Sequence, residues 1–222
     1  MKLFLPLFAV ALMAISCNSK KSEVTAEVGD AIESAATAPQ VMQGVTYNVN
    51  AAESQVMWTG RKVVGDSHTG TLTVSEGRLM MGGDKLVGGE FTIDMNSLTN
   101  TDIADAKSKG NLEGHLKNED FFEVSKFPTA EFKLLQVQPV TGDATVTHNL
   151  TGNLTLKGVT KSITVPANII ITDAMISAVT PAFDINRTDW GVKYGSGLTG
   201  AVGDKVISDQ VALVISLKAT RG

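Results

Sequence analysis

From Tyr47 to the C-terminus the chain changes polarity at every second residue, and that rhythm admits little besides antiparallel sheet. Phe91, Ile93 and Met95 alternate with Glu90, Thr92 and Asp94, the pattern of a strand with one apolar and one polar face. The same period returns at Val56 and Trp58, at Ala130, Phe132 and Leu134, along Ile163 to Ile171, and from Val211 to Ala219. Turn signals separate the runs: Glu76-Gly77, Gly82-Gly83-Asp84, Thr141-Gly142-Asp143, Lys157-Gly158 and Thr172-Asp173.

Short turns imply hairpins, and a sheet with almost no helix to cover its edges removes them most simply by closing on itself. The expected fold is all-β, an eight-stranded antiparallel β-barrel, with a two-sheet sandwich as the alternative. Strands of about 10–12 residues at ~3.3 Å each would enclose a tunnel of roughly 35 Å. One interruption stands out between Asp102 and Val124, where Leu112 and Leu116 share a helical face and Phe121 and Phe122 follow. This predicts one short helix near residues 104–120, lying across a barrel mouth and carrying an aromatic plug.

The N-terminal segment reads as an address. One Lys precedes the apolar run Leu3 to Ile15, which is too short to cross a bilayer comfortably and has the build of a secretory signal peptide. Ala14-Ile15-Ser16 precedes Cys17, the lone cysteine, as at a bacterial lipoprotein cleavage site, although the same bond suits an ordinary signal peptidase. Acylation of Cys17 would consume a thiol that is otherwise a liability in an oxidising compartment. The expected organisation is residues 1–16 as signal peptide, 17–45 as lipidated cysteine and flexible tether, and 46–222 as the barrel. A short helix from about Glu27 to Ala36 is conceivable, but its apolar positions are mostly Ala, too small to hold it.

Composition narrows the chemistry. Nineteen Lys and Arg against 23 Asp and Glu give a net charge of −4, which offers nothing to a nucleic acid. One Cys and three scattered His leave little material for a disulfide framework or a metal centre, so no metal, cofactor or catalytic residue is assigned. Gly195 to Gly200 fits a GxGxxG pattern but lacks the strand and helix that a dinucleotide site needs. Gly65-Asp66-Ser67-His68 holds the parts of a hydrolase triad, yet neighbouring residues on an extended chain point to opposite faces. Asn149, Asn153 and Asn186 each open an Asn-x-Thr pattern that reads as accidental. Arg187 and Trp190 beside Phe183-Asp184-Ile185 would either hold an anionic headgroup or serve the structure, and the structural role leads.

Taken together, several ordered pieces resemble the YceI-like family of bacterial periplasmic proteins. They are Trp58-Thr59-Gly60-Arg61-Lys62, His68-Thr69-Gly70, Gly88 to Met95, Leu112 to Phe122, Phe127 to Phe132, Gly152 to Lys161 and Phe183 to Trp190. The resemblance runs from about Tyr47 to the C-terminus. It implies a lipocalin-like barrel holding a polyprenyl chain, without catalysis or metal, in the carriage or storage of quinone-related lipids and in stress responses. A lipoprotein-type leader departs from the family's simple secretion signal.

The inward candidates for lining such a lumen are Phe91, Ile93, Phe132, Leu134, Leu154, Leu156, Val165, Leu213 and Ile215. Trp58, Phe121, Phe122 and Trp190 are the candidates for its mouth. Plain core packing competes at each of these positions. The expected partners are a polyprenyl or other long-chain lipid and, through acylated Cys17, a membrane, with a homodimer as an open alternative. The expected location is the cell envelope, as a periplasm-facing lipoprotein of the outer membrane. Two other functions stay open: a hydrolase using His68 with a carboxylate, and a structural or stress-response lipoprotein whose barrel is filled by side chains.

Overall fold

The computed structural model describes residues 24–33 and 44–222. The apolar leader, Cys17 and residues 34–43 lie outside the described residues, so the signal-peptide and acylation expectations are not addressed by it. Among the described residues, twelve strands and one α-helix follow one another. The strands are β1 (Val24–Thr25), β2 (Glu27–Asp30), β3 (Val45–Val49), β4 (Gln55–Arg61), β5 (Ser67–Gly82), β6 (Lys85–Asn100), β7 (Thr129–Pro139), β8 (His148–Leu156), β9 (Val159–Ile171), β10 (Met175–Val179), β11 (Phe183–Asn186) and β12 (Gln210–Arg221); the helix α1 (Ala106–Lys117) falls between β6 and β7.

These segments form one closed ring of eight staves. The strands β5 to β9 pair antiparallel in sequence order. One stave is the broken pair β10 and β11, both antiparallel to β12 and separated at Thr180-Pro181-Ala182. Another is β3 with β4, which join β12 to β5. Twelve segments where eight strands were expected thus reflect staves broken by a bend. The sixteen-residue strands β5 and β6 carry three register shifts, the local irregularities that let long strands coil around a narrow ring.

The expected tether is corrected in part by the structure, because residues 24–30 are wall. At the break between β10 and β11 the ring parts, and β9 pairs β10 only from Asn168 to Ile171. The gap is filled by β1, parallel to β11 (Val24 opposite Phe183), and by β2, antiparallel to β9 (Glu27 opposite Thr164, Asp30 opposite Lys161). Pro166 stands on β9 between the last residue paired with β2 and the first paired with β10, where no ladder requires its missing N–H. Ala26 is buried in the core, while Thr25, Glu27 and Gly29 face outward. Past β2, the Asn153 side chain donates to Ile32 O at 2.9 Å and accepts from Ile32 N at 3.0 Å, supplying both bonds of a strand partner. Lys161 and Asp30 pair at 3.0 Å beside it. The sequence offered the segment as a marginal helix because its apolar residues are few; pairing with two open edges makes it a strand instead.

The far half of the ring, away from α1, is solid. Phe91 and Phe132, on neighbouring strands, stack with ring centres 5.4 Å apart, and Leu134, Leu150, Val165, Ile176 and Leu217 pack in the same core. The expected tunnel along the whole axis is therefore corrected to an open space confined to one end.

The inserted strand yields a direct test. Ala26→Asp places a carboxylate against the core and should lower stability by about 2 kcal/mol or more, read as a fall in the urea midpoint. Glu27→Ala, one residue on and facing solvent, should stay within about 0.5 kcal/mol.

Candidate functional site

At the end where α1 lies, the ring encloses a cavity of about 320 Å³. Its strand walls are Val56, Leu72, Ile93, Met95, Ala130 and Leu213, continued upward by Leu98, Leu154, Leu156, Ile185 and Val211. Helix α1 closes it from above with Leu112 and Leu116, and the turn that follows adds Phe121 and Phe122. At the rim stand Arg61, Lys62, Asp66, His68, Ile207 and Ser208.

The roof is fastened by polar contacts rather than by burial of its own, since no residue of α1 is fully buried. Asp105 caps the helix by accepting from Ser108 N at 2.8 Å. Glu113 accepts from Asn100 N at 2.7 Å and from Thr99 Oγ1 at 2.8 Å, which ties the helix to the end of β6. That amide holds the Glu113 carboxyl below the usual carboxylate range. Lys117 donates to Asn96 O at 2.7 Å on the same strand. From the β8–β9 turn, Lys157 donates to the carbonyls of Glu119 and Phe121 and fixes the aromatic turn. Lys157 and Gly158 both take positive φ, as a two-residue hairpin of this twist requires.

Trp58 is held flat by a missing side chain. A Cβ on Gly70 would sit 2.4 Å from the Trp58 ring and 2.0 Å from Thr99 O, so only glycine lets β5 pass under the indole. The Trp58 Nε1–H is buried and has no hydrogen-bond partner among the described residues. At the rim, His68 Nδ1 donates to Asp102 Oδ2 at 2.9 Å, and Asp102 Oδ1 accepts from Thr69 N at 2.8 Å and Asn100 Nδ2 at 2.6 Å. Burial works to raise the Asp102 carboxyl, but the His68, Thr69 and Asn100 hydrogen bonds and the His68 charge outweigh it and hold the group at about 2.

Arg187 lines the cavity with its stem and buries its charge in a ring of acceptors. It donates to the carbonyls of Ser208 (3.0 Å), Val192 (2.8 Å) and Ile207 (3.2 Å) and pairs with Asp209 at 3.1 Å. Burial lowers its pKa, and Asp209 opposes that fall. Asp209 also accepts from Ser196 Oγ at 2.9 Å. The headgroup alternative for Arg187 thus gives way to the structural one, because its donors are already engaged.

Of the candidates read from the sequence, Trp58, Ile93, Phe121, Phe122, Leu154, Leu156 and Leu213 meet at the cavity wall. Phe91, Phe132, Leu134 and Val165 belong to the solid half, and Ile215 packs on the core away from the cavity. Trp190 is corrected from mouth to interior: it is fully buried and donates from Nε1 to Leu154 O at 3.1 Å. Val56 and Met95 also wall the cavity; the sequence placed both on apolar strand faces, two residues from Trp58 and Ile93, but not among the lining candidates. Val192 and Ile207 come from a loop without periodicity and carried no signal. Among the described residues no group of three His, Cys, Asp or Glu side chains is placed to hold a metal.

A closed ring of antiparallel staves with an apolar chamber at one end and a helical roof resembles a lipocalin-like barrel. The chain belongs to the YceI-like domain family, whose match covers residues 47–219. A UPF0312 protein of Pseudomonas aeruginosa is 38% identical over 90 residues, 37% of this chain and 44% of its own length, and one of an Enterobacter species is 36% identical over the same span. The chain thus matches under half the length of these relatives. Among solved structures, Burkholderia cenocepacia BcnA is similar with a TM-score of 0.56 at 23% identity, covering 78% of this chain and 99% of that one. A polyisoprenoid binding domain from Saccharophagus degradans, implicated in plant cell wall breakdown, gives 0.56 at 19% identity, covering 80% and 99%. At these identities the likeness establishes the fold.

Two consequences of the site are measurable. Arg187→Met leaves Asp209 without its cation and three carbonyls without the guanidinium donor, and should lower stability by about 3–5 kcal/mol in urea unfolding. Because the folded Asp102 value lies below the unfolded one, its contribution is complete above about pH 4 and is lost as the pH falls toward 2. The Asp102 side chain is 35% exposed, so solvent screening leaves a fraction of the roughly 1.4 kcal/mol per pH unit that one fully shifted proton gives. Urea midpoints measured from pH 5 to 2 should fall less steeply in Asp102→Asn than in the parent.

Proposed function

We propose that this protein binds a long apolar lipid of the polyisoprenoid kind, non-catalytically, with part of the chain in the end chamber. The observation that carries the reading is the chamber itself: about 320 Å³ walled by aliphatic side chains and roofed by Leu112, Leu116, Phe121 and Phe122. Its capacity is at the low end of the 300–1,000 Å³ common for ligand pockets, so a terminal stretch of the lipid is enclosed and the remainder leaves through the mouth. Each buried CH₂ contributes about 0.8 kcal/mol, and a few isoprene units offset the ordering of a flexible chain. Membership of the YceI-like family and the polyisoprenoid-binding activity named for the Saccharophagus domain support this reading. With it goes anchoring by an acylated Cys17 and a place on the periplasmic side of the outer membrane, for which the leader pattern is the support.

The His68–Asp102 pair favours a second reading, hydrolysis of an ester at the rim. An ionised carboxylate orients the imidazole as a general base would require. Among the described residues, however, no hydroxyl is hydrogen-bonded to His68, so binding is the reading the geometry supports better.

Organic extraction of the purified protein followed by mass spectrometry should recover a prenyl lipid, and an empty chamber after expression in a host rich in such lipids would refute the proposal. Leu116→Trp fills the roof of the chamber and should weaken titrated binding of a fluorescent prenyl alcohol by about tenfold or more, with the urea midpoint little changed.

A further inference from the structure

We infer that the mouth of the barrel is a membrane-docking surface that seats the rim on an anionic bilayer; the inference rests on the proposed lipid ligand, whose source is a membrane. The four most exposed large hydrophobic residues among those described are Leu198 (80%), Val202 (74%), Val64 (66%) and Val63 (63%). All four lie in two loops, residues 62–66 and 193–208, and nowhere else on the described surface does so much aliphatic side chain stand free. The loops are stitched into one platform: Val63 N donates to Val206 O at 2.9 Å, Ser208 N donates to Arg61 O at 2.8 Å, and Lys62 bridges to Ile207.

That platform is continuous with the chamber, because Lys62, Asp66, Ile207 and Ser208 line both. Exposed aliphatic residues beside the opening of an apolar pocket are expensive in water and favourable in the headgroup region of a bilayer. Charge points to the same partner. Within these loops three lysines, Lys62, Lys193 and Lys205, stand against two carboxylates, Asp66 and Asp204, an excess of one positive charge on a chain whose net charge is −4. The opposite end of the ring carries a smaller exposed pair, Ile170 (58%) and Ile171 (36%) at the end of β9, and no exposed large hydrophobic residue on the Gly82-Gly83-Asp84 turn between β5 and β6. Docked by its mouth, the barrel takes a prenyl chain from the bilayer without carrying it through water.

The test uses the full chain with Cys17→Ser, which leaves an introduced cysteine as the sole thiol. An environment-sensitive dye at Leu198→Cys should shift to the blue on adding vesicles of phosphatidylcholine with 20% phosphatidylglycerol, while the same dye at Asp84→Cys should not. Val63→Asp with Val202→Asp should abolish the shift and slow vesicle-to-vesicle transfer of a fluorescent prenyl alcohol about tenfold, with its uptake from detergent unchanged. A silent Leu198 probe, or equal shifts at both positions, overturns the docking. So does a shift that appears on concentrating the protein without vesicles, which would make a second copy the occupant. Uptake from detergent without a vesicle shift overturns the docking and leaves the lipid-binding reading intact; a shift without uptake supports the docking and refutes that reading.

Discussion

The structure depends on one requirement, that every strand edge find a partner, and β12 is where the requirement is met. On one edge β12 pairs β10 and β11, and on the other it pairs β3 and β4, so the last strand of the chain joins the two ends of the sheet. Unpaired backbone groups would otherwise line both margins and invite association. The same requirement explains the N-terminal insertion. Where the broken stave opens a gap, backbone groups of β9 and β11 are left over, and residues 24–30 satisfy them. A closed wall in turn is what allows one half of the interior to stay unfilled while the other half is packed.

The alternation of polarity made the antiparallel ring and the order of its hairpins legible in the sequence, and the spacing of Leu112 and Leu116 did the same for α1, because each of these follows from local patterns. The helix was expected near 104–120 and spans Ala106–Lys117. What stayed hidden was non-local. Nothing in Val24-Thr25-Ala26-Glu27-Val28 announces a strand, since its partners Phe183 and Thr164 lie over 130 residues away. Pro166 within β9 was a visible mark of a free edge, though not of what would lie beside it.

The site divides in the same way. Ile93, Leu154 and Leu213, read as inward, line the chamber, but period two cannot distinguish a residue that walls a space from one that fills it. Phe91 and Ile93 share a face on β6, and only the depth of each along the ring separates packed core from chamber. Trp190 shows the opposite failure. An aromatic residue near a strand end looks like a lip, whereas its indole closes the seam beside β8 by giving its N–H to Leu154.

Arg187 has a role beyond its own neighbourhood. Its guanidinium gathers the carbonyls at Val192, Ile207 and Ser208 together with Asp209, and these are the two feet of the 193–208 loop. The apex, with Leu198 and Val202, lies beyond that clasp. The loop is therefore held at its root by a buried charge, and its exposed crest stands clear of the side chains that wall the chamber, so the two can change independently in sequence.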